Sequence, residues 1–359
     1  MKLNSNKRIH LMVDVVKMAL VIAISMGLVS LIVFAVSDEP WNAIYNFFIG
    51  PFVSTRRIGN IIEAASPLMF TALGVIIIFG AGQFSMISEG AFFIGTCGAM
   101  VVAITCPMPA GVHPVVAILL GGVLGCGAAL VPALLKMKWN VSELVTSIML
   151  NYVIQFFVIY LITYYFREPE SSSLCSVLFE ETATMPTLIK GTRIHAGVFL
   201  GVFTCIAVWL LLYRTSFGTS LRITGDNALF AKYSGLKVTT IMVVAQGIAG
   251  FIAGMGGGAE LLGMYNRFKW TSTPGYGWTG IVVALLARKN PLMVPLAAAF
   301  IAYMNVGADI MARSSDVGRE MVDIIQGVMM LLIAADALLQ GWKQKMIVKA
   351  AKAEEEAQK

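Results

Sequence analysis

The fold class predicted from the sequence is an all-α polytopic membrane protein with about ten transmembrane segments. Three observations predict it. Hydrophobic residues make up 58% of the 359 and charged residues only 13%, where a soluble chain carries roughly a quarter charged. Mean hydropathy is +0.80. Apolar runs near or above the length of a bilayer-crossing helix recur along the whole chain.

Taken in order, the segments are expected at 13–36, 59–82, 87–106, 114–135, 145–166, 197–213, 238–262, 276–287, 291–312 and 320–338. The first run, Met12 to Val36, is too long for a signal core and lacks a small-residue cleavage site before Ser37. It is therefore expected to span. The organisation is then a cytoplasmic N-terminus at 1–12, one membrane domain at 13–338 and a charged cytoplasmic tail at 339–359. An even span count puts both ends on one side. Sixteen Lys and Arg fall on that side, including those of 214–237 and the tail, against nine on the other. The positive-inside rule makes the majority side cytoplasmic. Loop 167–196, acidic at Glu168, Glu170, Glu180 and Glu181, is expected outside.

Two segments are interrupted. Gly80-Ala-Gly-Gln-Phe-Ser-Met-Ile-Ser-Glu-Gly90 splits the second from the third. The eighth follows Gly275-Tyr-Gly-Trp-Thr-Gly280 and is too short to cross as a full helix. Non-helical backbone at membrane depth must be buried in protein or line a cavity, and broken helices in both halves of a transporter point to the substrate path. Segments two to five and seven to ten form two four-span blocks of opposite entry, the layout of an inverted repeat. Gly247-Ile-Ala-Gly-Phe-Ile-Ala-Gly-Met-Gly-Gly-Gly258 offers small-x-x-small spacings that suit close helix packing.

Between two apolar blocks lies a polar island, Arg214–Lys237. It carries an Asp226/Asn227 start signal, about two helical turns and a glycine stop at Gly235. Two turns cannot span a bilayer. Such a helix suits a surface peg that a partner grips.

Polar groups inside membrane segments are costly and need a reason. The candidates are Glu63, Gln83, Glu89, Asn151, Gln155, Gln246, Glu260, Asn305, Asp309, Asp323 and Gln326. Glu89 and Glu260 stand out because glycines surround them; each is an inter-helix hydrogen bond or a substrate contact. Phe84, Phe92, Phe93, Tyr265, Phe268, Trp270, Tyr276 and Trp278 lie near the breaks, as stacking surfaces for a flat ligand, as core, or, for Trp270 and Trp278, as interfacial anchors. Cys97, Cys106, Cys126, Cys175 and Cys205 form no Cys-x-x-Cys pair and are expected as small apolar fillers, with no metal site. The basic residues sit in short loops and the tail, which excludes a nucleic-acid surface. There is no Walker sequence for ATP, no nucleophile–base set, and no cofactor is expected.

The island residues 221–236, Leu-Arg-Ile-Thr-Gly-Asp-Asn-Ala-Leu-Phe-Ala-Lys-Tyr-Ser-Gly-Leu, resemble the coupling segment of bacterial ABC importer permeases. The branch is that for branched-chain amino acids, simple sugars and nucleosides. Ala65–Val75, Ser142–Tyr152 and Gly275–Pro291 resemble three further motifs of that branch, in order. The likeness is nearest to nucleoside permeases working with a basic-membrane-protein-type lipoprotein. One stretch departs. Where the family has Phe-Asn-Ile-Gly-x-Glu-Gly-Gln, this chain has Phe84-Ser-Met-Ile-Ser-Glu-Gly-Ala91.

The resemblance implies a transport subunit, not an enzyme. A cytoplasmic ABC ATPase would grip Arg222, Gly225, Asp226, Asn227, Ala231, Tyr233 and Gly235. A second related permease would pair with this chain in the lipid bilayer, and an extracytoplasmic lipoprotein would deliver a small polar solute. The translocation path is expected to involve Phe84, Glu89, Phe92, Asn151, Glu260 and Trp278. A sugar permease of the same branch is the alternative. An ion-coupled carrier using Glu89, Glu260 or Asp323 would need no docking peg.

Overall fold

In the computed structural model, residues 37–317 are described throughout, with scattered positions within 26–35 and 324–331. The expected first and tenth spans, both termini, Asp323 and Gln326 lie outside the described residues. Eleven α-helices run between Pro40 and Ser314 among the described residues. β-structure there amounts to two isolated bridges in the long loop, Arg167 with Ser176 and Thr187 with His195.

The chain divides into two compact units, 54–303 and the combination of 1–53 with 304–359. In the smaller unit, α1 (Pro40–Phe48) packs on the last turns of α11, where Gly307 sits against the Phe47 carbonyl at a distance no side chain could share. Asp316 ties the entry to α1, accepting from Ser37 Oγ and from the Asp38 N–H, both at 2.6 Å. These bonds hold its carboxyl below the usual range.

The larger unit begins with α2 (Thr55–Gly80), started by Ser54, whose hydroxyl accepts from the Arg57 N–H at 3.3 Å. An irregular stretch leads to α3 (Ile87–Thr105). Helix α4 (Val112–Trp139) stops at Asn140, which takes the left-handed conformation with φ 52°. Helix α5 (Glu143–Leu161) ends in one π-turn, Ile162–Phe166. After the long loop come α6 (Gly197–Arg214), α7 (Ser216–Asp226), α8 (Ala228–Tyr233) and α9 (Val238–Met264). The short α10 (Tyr276–Leu286) and α11 (Val294–Ser314) follow.

Seven of the expected spans are helices long and apolar enough to cross a bilayer. The eighth is only α10, whose eleven residues reach roughly 16 Å, about half the hydrocarbon core. Helix α9 is the hub and packs on α2, α3 and α4. Backbone approach is the reason for its glycines: Gly254 lies against Gly95 of α3 and Gly121 of α4, and Gly250 against Gly125. Without a hydrophobic drive between helices in lipid, such close packing is what joins them. Long helix, irregular segment and second helix occur twice, as α2–α3 and α9–α10. Each long helix packs on the other pair's second helix, α2 on α10 and α9 on α3.

Candidate translocation and coupling sites

Two non-helical segments meet at one carboxylate. Residues 81–86 lead into α3, and residues 265–275 lead into α10. Glu89, in the first turn of α3, accepts from the Gly275 N–H at 2.7 Å and the Gly277 N–H at 2.5 Å. The first N–H groups of a helix have no partner within it, and they carry partial positive charge. Glu89 supplies both the acceptor and the charge for α10. The second tie is Thr71, whose Oγ1 donates to the Tyr276 carbonyl at 2.9 Å. Thr71 stands nine residues before Gly80, so α10 starts about 14 Å in from that end of α2. That is well inside the length of α2, so α10 is a half-length helix that begins partway along its neighbour.

The first break is held by one face of α5. Glu143, Ser147 and Asn151 recur at four-residue spacing, and all three are buried. Glu143 accepts from the Phe84 N–H at 3.0 Å, Gln83 Nε2 at 3.1 Å, Gln246 Nε2 at 2.9 Å and Lys136 Nζ at 2.7 Å. Ser147 Oγ accepts from the Met86 N–H at 2.9 Å. Asn151 accepts from the Gly90 N–H at 3.0 Å and donates to the Met86 carbonyl at 2.8 Å. The Phe84, Met86 and Gly90 N–H groups and the Met86 carbonyl thus find side-chain partners on α5, as burial in a membrane requires. Glu143, Ser147 and Thr71 were missing from the residues singled out in the sequence. The 143/147/151 spacing in an otherwise apolar helix is the signal that finds the first two.

The aromatic candidates separate into two groups. Trp270 lies at the centre of a packed cluster, with ring centroids 5.3–6.4 Å from Tyr265, Phe268, Phe92 and Phe93. Trp270 itself is half-buried. Phe92 and Phe93 are fully buried. Phe84 and Trp278, in contrast, are 48% and 47% exposed, and Phe84 stacks on Phe79 at 5.1 Å. Of the expected path residues these two present open surface, while Glu89, Phe92, Asn151 and Glu260 are buried.

At the far end of α9, Glu260 is 1% exposed, and its carboxyl shares a hydrogen bond with that of Glu63. His195 Nε2 is 3.8 Å from Glu260 Oε2. His195 Nδ1 accepts from the Gly197 N–H at 3.2 Å, so the ring proton belongs on Nε2, facing Glu260. Burial lowers the His195 pKa to about 4.

The polar island holds two helices where one was expected. Helix α7 runs to Asp226, and Asn227 is the cap of α8, its Oδ1 accepting from the Phe230 N–H at 3.0 Å. Asp226 thus closes one helix and does not open the next. Gly235 takes φ 82° and ends α8. Gly225 is helical, and its reason is contact: a Cβ there would collide with the Gly80 carbonyl oxygen. This joins the island directly to the 81–86 break. Ala231 is buried, whereas Leu229, Phe230 and Tyr233 project, Tyr233 being 89% exposed. Arg222 lies 4.9 Å over the Tyr213 ring, beside a cavity of about 250 Å³ that Gly225, Asp226 and Lys289 also line. Among the described residues no three His, Cys, Asp or Glu form a metal-ligand group.

The family described as "Branched-chain amino acid transport system / permease component" matches residues 57–334. Three relatives are similar along most of their length. The glucose ABC transporter permease TsgB13 of Haloferax volcanii is 28% identical over 89% of this chain and 87% of its own. The guanosine ABC transporter permease NupP of Bacillus subtilis is 27% identical over 91% and 93%. The nucleoside ABC transporter permease NupB of Lactococcus lactis is 24% identical over 92% and 93%.

Proposed function

We propose, from the premise that this chain belongs to the branched-chain amino acid transport system permease family, that its cargo is a nucleoside. As a member it is an ABC transporter permease of the branched-chain amino acid, sugar and nucleoside branch, a multi-pass transport subunit and not an enzyme. Its family role requires an ATPase and a substrate-binding partner.

The observation that carries the cargo reading is the character of the open residues at the breaks. Phe84 and Trp278 offer exposed rings. The nearby carboxylate, Glu89, is occupied in capping α10. A path with ring faces and no free fixed charge suits a flat, uncharged, partly polar solute. Nucleoside permeases among the relatives favour the same class. A simple sugar is the second reading, favoured by the glucose permease relative at 28% identity.

In this reading the direction is import. Both termini and 214–237 are cytoplasmic, and the ATPase engages α8 through Leu229, Phe230 and Tyr233. Its closure moves α7, and Gly225 passes that motion to the 81–86 break through Gly80, as a rigid-body shift. A second related permease faces this chain across the path, and a lipoprotein delivers solute from the 167–196 side. The test is ATP-dependent uptake by proteoliposomes holding the chain with its ATPase, second permease and binding protein. Guanosine accumulation is expected; accumulation of glucose but no nucleoside would overturn the cargo.

A further inference from the structure

We propose that the open face of α5 lines the solute path, and that Tyr152 and Gln155 there hydrogen-bond the edge of the passing solute while Phe156 offers it a ring. The inference deepens the cargo reading and rests on it for the solute class.

Helix α5 divides sharply. One face carries the buried Glu143, Ser147, Asn151, Ile154 and Val158. The opposite face is open, with Tyr152 59% and Phe156 66% exposed, and Gln155 on the rim between the two faces. With its π-turn, the span Glu143–Phe166 has 24 residues, or roughly 36 Å. Tyr152 and Gln155 are nine and twelve residues from its start, and so at mid-depth. Tyrosines nearer the far end, such as Tyr164, have an ordinary explanation in the aromatic belt of a membrane surface. Mid-depth has no such explanation. The Tyr152 hydroxyl and the Gln155 amide make no hydrogen bond within the described residues. A primary amide and a hydroxyl facing hydrocarbon would be strongly disfavoured. Water or a polar partner must face them.

Spacing decides what they can do together. Residues three and four apart are neighbours on a helix, so Gln155 and Phe156 both adjoin Tyr152. A carboxamide, a phenolic hydroxyl and a phenyl face in one patch match a solute with a flat ring and a donor–acceptor edge. The patch carries no charge, so a solute is met without being trapped.

The test uses the reconstituted complex with Tyr152→Phe and Gln155→Leu, and two solutes. One is guanosine; the other is purine riboside, which lacks the exocyclic oxygen and amino groups. Loss of one hydrogen bond in passage predicts a guanosine rate lower by roughly five- to tenfold. Purine riboside uptake should fall by less than about twofold. An equal fall for both solutes would mean a packing role, and no fall would mean no contact; either overturns the proposal. Gln155→Cys on a cysteine-free chain gives a readout independent of transport rate. Labelling by a small water-soluble thiosulfonate, blocked by guanosine, is expected. Labelling by lipid-soluble maleimide alone, or disulfide capture by the second permease without solute protection, would overturn it. If the complex moves a sugar and no nucleoside, the cargo reading fails. Protection of position 155 by that sugar would still support this face as the path.

Discussion

Replacing Glu89 by Gln isolates the cap of the half-helix. The carboxylate now serves two N–H groups at 2.7 and 2.5 Å, from Gly275 and Gly277. The amide keeps one acceptor oxygen and turns its NH2 toward the other donor. The loss is one hydrogen bond to a charged group, about 1.5–3 kcal/mol. Charge at a helix N-terminus adds about 0.3–1 kcal/mol. The total is roughly 2–4 kcal/mol. Glu89→Ala leaves two buried donors without an acceptor and should cost more, about 4–6 kcal/mol. For a unit of this size each kcal/mol lowers Tm by about 2 °C, so Glu89→Gln should melt roughly 4–8 °C lower. The assay is thermal unfolding of the detergent-purified protein, followed by fluorescence-detected gel filtration. Uptake, normalised to folded protein, should change little. An unchanged Tm would refute the cap. An unchanged Tm with abolished uptake would place the carboxylate on the solute instead.

Four further outcomes are expected. Gly225→Val, which meets the Gly80 carbonyl, and Gly235→Val, forced to φ 82°, should each abolish ATP-driven uptake while leaving insertion intact; normal uptake with normal ATPase association counts against the coupling role. Lys232→Cys on a cysteine-free background should resist an impermeant thiol reagent in intact cells, and labelling there would reverse the proposed orientation. Phe84→Ala and Trp278→Ala should alter uptake rate or selectivity several-fold at unchanged Tm, and crosslinking of both positions to lipid would remove them from the path. The last concerns pH. His195 titrates near 4 when folded and near 6.5 when unfolded, so below pH 6.5 the unfolded chain binds the extra proton. Its contribution is complete above about pH 6.5 and is lost as pH falls toward 4, by about 3 kcal/mol at most. His195→Gln should flatten the Tm profile in that window; an identical slope would exclude the imidazole as its source.

Much of the candidate site was legible because membranes punish exceptions. The glycine-rich break at 80–90, the short segment after Gly275 and the carboxylates Glu89 and Glu260 are all departures from an apolar background, and each proved structurally distinctive. What the linear pattern hid was pairing. Glu143 looks like an ordinary first-turn carboxylate, and only the fold brings Gln83, the Phe84 N–H, Lys136 and Gln246 to it. Trp270 reads along the chain as an isolated ring, and only the fold brings Phe92, Phe93, Tyr265 and Phe268 to it.

The sequence by itself determined the class, the helical spans between 55 and 314 and the family. These depend on length, hydropathy and local signals such as the Asn227 cap and the Gly235 stop, all readable along one chain. Tertiary structure decided the rest. It set Glu89 as the cap of a helix 186 residues away in the chain. It made Gly225 a contact glycine against Gly80, and it left one face of α5 open partway along its length. The physical reason is that a backbone or side-chain group in a membrane must find its partner in space. Which distant segment supplies that partner is settled only when the helices pack.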